Sequence, residues 1–433
     1  MAGMQSPDYD IVVVGGGPGG SVASALARKR GFRVLVAEKE RFPRFHIGES
    51  LLPIGNAILR EVGVWPRIES AGFIHKYGAA FFSANGRAKT EIMFSDGIIP
   101  GLESTFQVER SKFDGLLLNH ARELGAEVCM ETLAEAAESE GGFHRIRLKG
   151  PDGTRTVSAS WVIDASGRDN LFEAGKAREL SSLPFPKRVA IYSHFRGVAR
   201  APGRAGGHTV AVRLDNGWFW LIPLDAEKTS VGLVTTVEAM RSSGMKPEAL
   251  FARAVAESAK LTELVGSAEA TMPFFVTSDY SYFRKSLAEK RLIRIGDAAG
   301  FLDPIFSTGV YMSMFSAKIA VGMVARAHAS KRDLTAAERR RYTSKVKGHA
   351  GVFQKLIASF YHNDGFAVFV SPVVPWRTRD AVCSIVAGHA SLPWPVWWRF
   401  KVFLTACWLQ RHGYHVSPPV DYGASPLAPA AQR

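Results

Sequence analysis

The stretch YDIVVVGGGPGGSVASALARKRGFRVLVAEKE, residues 9–40, decides the fold. It opens with β-branched residues at 9–14, which predict a short buried parallel strand, and glycines follow directly. Residues 19–30 are predicted to form a helix and residues 33–38 a second strand. A strand, a helix and a strand with short connections make a βαβ unit, so an α/β protein is predicted.

The glycines between the first strand and the helix have the spacing G-x-G-x-x-G. Glycine lets the backbone turn tightly and approach a pyrophosphate, which the N–H groups at the helix N-terminus then bind. Glu38 ends the second strand 18 residues after Gly20, where its carboxylate can accept hydrogen bonds from ribose hydroxyls. The unit therefore predicts a dinucleotide site formed by Gly15, Gly17, Pro18, Gly20 and Glu38.

Length and composition indicate a globular protein. The chain has 433 residues, of which 46% are hydrophobic, enough for one large domain or two interlocked ones. No apolar run is expected to span a bilayer, and the first residues lack the pattern of a secretion signal. The three cysteines lie far apart without metal-like spacing, so no metal site is predicted. This cysteine usage fits a cytoplasmic protein.

The net charge of +14 is compatible with an anionic membrane surface or an acidic protein partner. Short basic clusters at 331–332 and 339–341 contribute to it and are typical of a solvated helix face. No basic helix or basic-aromatic repeat stands out, so no nucleic-acid partner is predicted.

Later segments extend the pattern. A hairpin is predicted from 143–149 and 154–164, strands from 186 to 237, a strand at 291–295, and helices from 311 onward. Prolines at 393 and 395 predict that the last helix begins after them. The predicted boundaries are 8–180 and 286–330 for two parts of a nucleotide-binding domain, 181–285 for a substrate-binding sheet, 331–415 for helices, and 416–433 for a Pro/Ala-rich tail.

A second signal, LIRIGDAAGFLDPIFSTG, spans residues 292–309. A strand ends there at Asp297, and a helix is predicted to start near Thr308 and Gly309, with N–H groups free for an anion. Together with the glycine unit, VIDASG at 162–167 and Arg110 in QVERSKFDGLLL, this resembles the FAD-dependent aromatic hydroxylase superfamily over residues 8–330. The resemblance implies FAD and a Rossmann-like FAD-binding domain interleaved with an antiparallel-sheet substrate domain, plus C-terminal helices.

The stretch GWFWLIP, residues 217–223, places Trp218 and Trp220 on one face of a strand, which alone is typical of a core. Within this superfamily it resembles the W-x-W-x-I-P motif of the flavin-dependent halogenases. The resemblance implies that both indoles line a tunnel that separates the flavin from the substrate.

Further motifs resemble the same family. GFIHKYGAAFF, residues 72–82, aligns the family's essential lysine with Lys76, and flanking Phe73 and Phe81 are expected to desolvate the amine and lower its pKa. The stretch 301–309 resembles the halide loop. The family implies a halide site at Ser307, Thr308 and Gly309, and flavin contacts from Arg44, Ser50, Arg110, Asp297, Pro304 and Val310.

Phe306 stands where tryptophan halogenases have a glutamate that orients indole. With Phe306 in the substrate tunnel, the chain resembles the branch that halogenates phenols or pyrroles, often tethered to a carrier protein. The resemblance implies halogenation of such a ring in secondary-metabolite biosynthesis, by hypohalous acid guided to Lys76. A separate flavin reductase is implied, and an acidic carrier suits the basic chain.

Other functions stay open from the residues alone. A geranylgeranyl-reductase-type enzyme has a similar aromatic strand, although Ile222 and Lys76 speak against it. An aromatic hydroxylase and a non-enzymatic flavin sensor or membrane scaffold are further alternatives. The Trp-rich segment 391–415 is compatible with peripheral membrane contact or with a helix that packs over the substrate site.

Overall fold

The computed structural model describes residues 6–140, 142–169, 180–181, 186–278, 281–371 and 375–423. The strands within these ranges are β1 Tyr9–Val14, β2 Val34–Ala37, β3 Ile74–Lys76, β4 Gly78–Ser83, β5 Lys89–Met93, β6 Thr105–Gln107, β7 Glu127–Cys129, β8 Leu133–Glu140, β9 Phe143–Gly150, β10 Gly153–Asp164, β11 Leu180–Ser181, β12 Arg188–Arg196, β13 Thr209–Arg213, β14 Gly217–Pro223, β15 Lys228–Thr236, β16 Glu269–Ala270, β17 Phe275–Ser278, β18 Tyr282–Arg284, β19 Leu292–Arg294 and β20 Gly300–Phe301.

The helices within the same ranges are α1 Pro18–Arg28, α2 Asn56–Val62, α3 Trp65–Glu69, α4 Arg110–Glu123, α5 Val237–Ser242, α6 Pro247–Ala256, α7 Ala259–Val265, α8 Thr308–Ala329, α9 Ala336–Tyr361, α10 Asn363–Val370, α11 Thr378–Val386 and α12 Trp394–Arg411.

The first sheet has β1 at its centre. The strands β2 and β10 pair with β1 in parallel, β7 extends the sheet beyond β2, and β19 pairs in parallel with β10. All four residues of β2 are buried, as expected for a parallel strand covered on both faces. The predicted βαβ unit and the hairpin of β9 and β10 are confirmed. Since β19 joins this sheet, the chain returns to the first sheet after building the second.

The second sheet has the strand order β12, β15, β14, β13, β4 and β5, with β16 and β17 on β12. Its pairings are antiparallel except that of β13 with β4, which is parallel. The strands β4 and β5 come from the 8–180 stretch, so the two sheets exchange chain segments more often than the predicted boundaries imply. Those boundaries stay a prediction, and the tail beyond residue 423 lies outside the described residues.

Helix α8 overturns the expectation that no apolar run is long enough to cross a membrane. With 22 residues, α8 is long and apolar enough to cross a membrane, judged by length and composition alone. Within the described residues, no other helix meets this criterion. However, 56% of its apolar stretch is buried inside the protein, where α8 packs against α1. The central helix of a folded domain has the same properties.

The last helix, α12, begins at Trp394, so Pro395 lies inside its first turn. The prediction that the helix begins after both prolines is wrong for Pro395. Proline has no N–H, and the first helical turn leaves its N–H groups without intrahelical acceptors, so proline fits there without losing a hydrogen bond.

Candidate active site

The loop between β1 and α1 holds the backbone in a shape that only glycine permits at two positions. Gly15 has φ +101°, and a Cβ atom there would lie 2.3 Å from the carbonyl oxygen of Ala165. A Cβ atom on Gly20 would lie 1.9 Å from the carbonyl oxygen of Gly15. Both glycines therefore let α1 start directly against the end of β1, which leaves the helix N-terminus open to a phosphate group.

Glu38 stabilises this loop from the end of β2. One carboxylate oxygen accepts a hydrogen bond from the backbone N–H of Gly16 at 2.6 Å, and the other accepts from Glu40 at 2.8 Å. Its side chain is buried and lies on the wall of the adjoining cavity. Each carboxylate oxygen has two lone pairs, so Glu38 can still accept from a ribose hydroxyl.

A cavity of about 480 Å³ joins the residues that the motifs single out. Fourteen of them line it, although they come from distant parts of the chain. They are Gly15, Gly17, Pro18, Glu38, Arg44, Ser50, Arg110, Trp218, Trp220, Asp297, Pro304, Ser307, Gly309 and Val310. The other four, Gly20, Lys76, Phe306 and Thr308, do not line it directly. Their roles stay predictions, but their placement around one space is a property of the fold.

A larger groove of about 820 Å³ lies on the other face of the second sheet. Leu221 and Val210 line it, whereas Trp218 and Trp220 alternate with Leu221 and face the first cavity. None of the predicted site residues lines this groove. The smaller cavity is therefore the candidate active site.

Two arginines, Arg44 and Arg110, line the cavity near the glycine loop. Arg110 makes two hydrogen bonds to the carboxylate of Asp114, at 2.7 and 2.8 Å, and donates to the carbonyl oxygen of Ile47 at 2.8 Å. Nε of the partly buried Arg44 lies 2.8 Å from Oε2 of Glu40, and its Nη1 lies 3.4 Å from Oδ2 of Asp114. A Cβ atom on Gly17 would lie 3.6 Å from Nη2 of Arg44, so this guanidinium lies directly over the glycine loop.

These features fit the pyrophosphate of FAD. The first N–H groups of α1 have no acceptor within the helix, and Arg44, which lies over the glycine loop, can donate charge-assisted hydrogen bonds to a phosphate. Asp297 lies on the same wall, and its burial raises the pKa of the carboxyl to about 6, although Arg110 lowers it. Within the described residues, no group of three or more His, Cys, Asp or Glu side chains is placed to hold a metal ion.

Lys76 ends β3 and is buried, with only 2% of its surface exposed. Its Nζ donates hydrogen bonds to Oγ of Ser50 at 2.8 Å and to the carbonyl oxygen of Leu51 at 3.2 Å. Burial lowers the pKa of the amine to about 7, so half of the molecules have a neutral amine near that pH. The predicted desolvation is confirmed.

The aromatic neighbour of Lys76 differs from the expected pair, Phe73 and Phe81. The Nζ atom lies 5.3 Å from the centre of the Phe94 ring. Phe73 packs against Phe113 instead, and Phe81 packs against Phe369. Phe73 precedes β3 and Phe81 lies in the next strand, β4, so closeness in the sequence does not place either ring beside the Lys76 side chain.

A short chain of hydroxyl groups connects Lys76 to the cavity. Oγ of Ser50 lies 3.0 Å from Oγ1 of Thr209, and both residues line the cavity. Gln107 donates from Nε2 to Oγ1 of Thr209 at 2.9 Å, and either hydroxyl of the Ser50–Thr209 pair can donate to the other. Sequence reasoning missed Thr209, which belongs to no motif, and Gln107, which opens QVERSKFDGLLL but was not singled out there. Ser50 therefore stands between the cavity and the amine.

The two indoles of the predicted tunnel are held by hydrogen bonds. Trp218 donates from Nε1 to the hydroxyl of Tyr361 at 2.7 Å, and Trp220 donates from Nε1 to Oγ of Ser230 at 3.1 Å. Their ring centres lie 6.0 Å apart. Tyr361 ends α9, so a C-terminal helix fixes a side chain on the second sheet. Nothing in the sequence pattern pointed to this residue.

Tyr361 also reaches the loop before α8. Its hydroxyl donates to Oδ2 of Asp303 at 2.6 Å, and Oδ1 of Asp303 accepts from the backbone N–H of Ile305 at 3.1 Å. Asp303 is fully buried, and burial raises the pKa of its carboxyl. The Arg188 guanidinium lies 3.4 Å above the Tyr361 ring. These contacts link the indole of Trp218 to the loop predicted to bind halide.

At the end of this loop, Ser307 has φ +55°, and α8 starts at Thr308. Ser307 and Gly309 face the cavity, and the first N–H groups of the helix have no intrahelical acceptor. Phe306 does not line the tunnel as expected. It is buried in an aromatic cluster, with ring centres about 6 Å from those of Phe81 and Phe360.

We expect Tyr361→Phe to uncouple the indole from the loop. The substitution removes the hydroxyl that bridges Trp218 and Asp303, so two buried polar groups lose a partner at a cost of about 1–3 kcal/mol. The ratio of halogenated product to oxygen consumed should fall several-fold, as measured in one coupled assay. Tyr414→Phe, at an exposed position, is the control. An unchanged ratio in Tyr361→Phe would show that the bridge has no role in the reaction.

We expect Lys76→Met to stabilise the fold most at low pH. The pKa of Lys76 falls from 10.5 in a free side chain to about 7 in the fold. Between these values the unfolded chain holds a proton that the folded chain lacks, so wild-type stability rises with pH across that window. The free energy of unfolding in urea should therefore be higher for Lys76→Met than for the wild type, and this difference should shrink between pH 7 and pH 10.

The exposed Lys112→Met variant is the control, because an exposed amine stays in water when the chain folds. Its difference from the wild type should not change over the same pH range. A pH-independent difference for Lys76→Met as well would contradict the lowered pKa.

The glycine loop, the two interleaved sheets and the cavity beside the loop define a flavoprotein oxidoreductase of the aromatic hydroxylase type. The sequence profile of one family, described as Tryptophan halogenase, matches residues 10–97 and 82–365. The chain belongs to this halogenase family. It is an enzyme, a flavin-dependent halogenase that uses FAD with chloride or bromide. These relatives do not favour a prenyl reductase, a hydroxylase or a non-enzymatic flavin protein.

Individual relatives agree with this assignment. The chain is 33% identical over 392 residues to the 1H-pyrrole-2-carbonyl-(peptidyl-carrier protein) chlorinase of Pseudomonas fluorescens, covering 85% of this chain and 87% of that protein. It resembles the solved structure of a flavoprotein/dehydrogenase from Cytophaga hutchinsonii, with a TM-score of 0.83, 26% identity, and 94% and 98% of the two chains covered. It also resembles the flavin-dependent brominase Bmp2, with a TM-score of 0.81, 27% identity, and 91% and 98% covered.

Proposed function

We propose that the protein halogenates an electron-rich ring, a pyrrole or a phenol, that is attached to a carrier protein. The observation that carries the chemistry is the buried amine of Lys76, which is connected through Ser50 to a cavity that Trp218 and Trp220 line. The carrier-bound substrate is supported by two relatives, a chlorinase and a brominase of the pyrrole-2-carbonyl carrier protein, 33% and 31% identical to this chain.

The glycine loop would hold the cofactor, with Glu38 available to the ribose, Arg44 to the pyrophosphate, and Asp297 and Arg110 to the rest of the molecule. When bound in reduced form, FAD supplies the electrons with which oxygen converts halide into hypohalous acid. One oxygen atom enters the acid and the other leaves as water. Ser50, Pro304 and Val310 complete the contacts that we assign to the cofactor.

The halide is held at the start of α8 by the backbone N–H groups of Thr308 and Gly309. The N-terminus of a helix favours an anion, because its first N–H groups have no acceptor within the helix. The left-handed backbone at Ser307 ends the preceding turn, and α8 begins directly after it, so we assign its first N–H groups to the halide. Asp303 caps that turn and keeps the loop in place.

Hypohalous acid passes Trp218 and Trp220 to reach Lys76. The hydrogen-bonded indoles keep the ring of the substrate away from the flavin, so direct hydroxylation is excluded. The neutral amine takes the halogen from the acid, forming an N–halogen bond and releasing water. It then transfers the halogen to the ring, and the ring's proton returns to the amine. A pKa of about 7 keeps enough amine neutral for the first step.

The environment of Phe306 supports the choice of ring. No carboxylate side chain stands at this position to orient or deprotonate an indole, and Phe306 packs among Phe81, Phe360 and Phe369. A pyrrole or phenol is electron-rich enough to be attacked without such a base. The tryptophan-type substrate is therefore not the one that we propose.

We assign two partners to the enzyme, a separate flavin reductase and an acidic carrier protein. We place the enzyme in the cytoplasm. The net charge of +14 favours association with an acidic protein. Peripheral membrane contact through residues 391–415 stays a prediction, and binding to anionic vesicles tests it.

The test is turnover by the FAD-loaded protein with a flavin reductase, oxygen and a panel of free and carrier-bound pyrroles and phenols. Mass spectrometry should show a halogen isotope pattern on a carrier-bound ring, and the pattern should disappear when halide is omitted. A hydroxylated or reduced substrate would contradict the proposal. Halogenation of free rings but not of carrier-bound rings would contradict the carrier-bound substrate and leave the halogenase activity standing.

A further inference from the structure

Helix α12 carries an exposed row of residues that we call the tryptophan stripe. Its members are spaced three or four positions apart, so they share one face of the helix. They are Trp394, Trp397, Lys401, Thr405, Trp408 and His412, and all of them are exposed. The opposite face, with Val396, Phe400 and Phe403, is buried against the protein. The stripe is about 27 Å long at 1.5 Å per residue.

The tryptophans in the stripe are large and unusually exposed. Trp394 is 70% exposed, Trp408 55% and Trp397 40%. The rings of Trp394 and Trp397 stack with centres 5.2 Å apart, and Nζ of Lys401 lies 5.8 Å from the Trp397 ring. Contiguous exposed aromatic surface marks a site of interaction, and tryptophan is enriched among residues that dominate protein–protein binding.

The charged side chains of α12 itself are all basic. They are Lys401 in the stripe, Arg411 at the end of the helix and Arg399 on its other side, and residues 381–420 contain no aspartate or glutamate. Tryptophans beside a lysine on such a helix are complementary to an acidic partner.

The position of α12 connects this surface to the active site. Helix α11 packs against α12, and Oγ of Ser384 on α11 accepts a hydrogen bond from the backbone N–H of Ile98 at 2.8 Å. The segment before Ile98 holds Phe94, whose ring centre lies 5.3 Å from Nζ of Lys76. Helix α11 therefore lies between α12, which carries the stripe, and the segment of Phe94, which packs on Lys76.

We propose that the tryptophan stripe is the docking surface for the acidic carrier protein that bears the substrate. The inference rests on the proposed function, and it adds which face of the enzyme recognises the carrier. Lys401 pairs with a carboxylate of the carrier, while the indoles on either side pack against its apolar side chains. The acyl group then enters the enzyme from the side of the Phe94 segment, which packs on Lys76.

Two other occupants fit the stripe less well. A helix that lies in a membrane keeps its charged residues on a separate face from its apolar ones, whereas Lys401 lies in line with the tryptophans. A second copy of this chain would bring two basic surfaces together in a protein of net charge +14. An acidic protein surface offers carboxylates to Lys401 and apolar side chains to the indoles.

The test compares two substrates of the FAD-loaded enzyme. One is a purified acidic peptidyl carrier protein that bears a pyrrole-2-carbonyl thioester, and the other is the same acyl group on free pantetheine. Lys401→Glu and the double variant Trp394→Ser, Trp408→Ser should raise KM for the loaded carrier about tenfold or more. The kcat for the loaded carrier and both constants for the pantetheine thioester should stay unchanged.

Matched controls separate docking from general surface effects. Trp376 is 68% exposed, and its carbonyl accepts from Arg399, which lies on the other side of α12 from the stripe. Trp376→Ser and Arg341→Glu, at exposed positions, should leave both substrates unaffected. Equal losses for carrier and pantetheine thioester would show damage to the fold and would overturn the proposal.

Direct binding distinguishes this proposal from the proposed function. Fluorescence anisotropy of a labelled loaded carrier should show binding to the wild type and weaker binding to Lys401→Glu. If the carrier binds the wild type more tightly than Lys401→Glu but no substrate is halogenated, the proposed function is overturned and the docking surface stands. If the pantetheine thioester is halogenated but the carrier binds the wild type and Lys401→Glu equally well, the function stands and the docking surface is overturned. The docking surface is also overturned if only vesicle binding or self-association depends on the stripe.

Discussion

Lys76→Ala should abolish halogenated product while the protein still binds FAD, consumes oxygen and forms hypohalous acid. The amine is the group that transfers halogen to the ring in our account, and it lies apart from the glycine loop, the arginines and the halide loop. Loss of a group that takes part directly in proton and bond transfer lowers rates by about 10²–10⁴-fold. We therefore expect product formation to fall by that factor and hypohalous acid to appear in solution.

The measurement is the yield of halogenated ring by mass spectrometry, beside trapping of free hypohalous acid with a thiol. Lys112→Ala is the matched control, because Lys112 is exposed and also lies near an aromatic ring, 5.5 Å from the centre of Phe73. Lys76→Arg should be as inactive as Lys76→Ala, since a guanidinium keeps its proton. Normal product yield in Lys76→Ala would show that the halogen reaches the ring without the amine.

Gly20→Ala should prevent FAD binding. Its Cβ atom would lie 1.9 Å from the carbonyl oxygen of Gly15, which is backbone and cannot rotate away. Helix α1 would have to move off the end of β1, and the N–H groups that face the pyrophosphate would move with it. Absorbance of the purified protein at flavin wavelengths and titration with FAD should show loss of the bound cofactor.

Gly115→Ala is the control for the added methyl group. Gly115 lies within α4, and a Cβ atom there would meet nothing within 4 Å. Alanine in place of glycine within a helix stabilises it by about 0.5–1 kcal/mol, so this variant should bind FAD and unfold at slightly higher urea concentration. FAD binding by Gly20→Ala at wild-type affinity would contradict the packing that we describe.

Local patterns in the sequence predict the first sheet and the start of α8. The residues of β1, α1 and β2 follow one another directly, and each has a composition typical of its structure, so no distant contact is needed to identify them. The glycines also specify their own backbone, as at Gly15 with φ +101°. The resemblance to the halogenases then predicted that motifs nearly 300 residues apart would surround one cofactor.

The contacts that organise the inside of the site could not be predicted in this way. Trp218 and Tyr361 are 143 residues apart, and Tyr361 and Asp303 are 58 apart, yet two hydrogen bonds connect all three. A single tyrosine at the end of a helix has no pattern that identifies its partner. The ring beside Lys76 was mistaken for the same reason, since Phe94 comes from a turn after β5 and not from the motif.

The motif predicts that Phe306 lies in the loop before α8, but it does not predict which side chains Phe306 contacts. The loop was expected to direct this side chain into the tunnel. The ring instead fills an aromatic cluster with Phe360 and Phe369, which belong to C-terminal helices without a recognised motif. Burial of a large ring among other rings is favourable, and the cluster decides where Phe306 points.

The central claim is that halogen travels inside the protein from the cofactor to Lys76, and single turnover with a scavenger tests it most directly. The FAD-loaded enzyme is reduced chemically, then mixed with oxygen, bromide and a pyrrole-2-carbonyl carrier protein, with or without excess methionine to consume free hypobromous acid. We predict the same yield of brominated pyrrole in both samples, because the enclosed acid never meets the scavenger. Loss of the product when methionine is present would show that the acid reaches the ring through solution, and it would contradict the account.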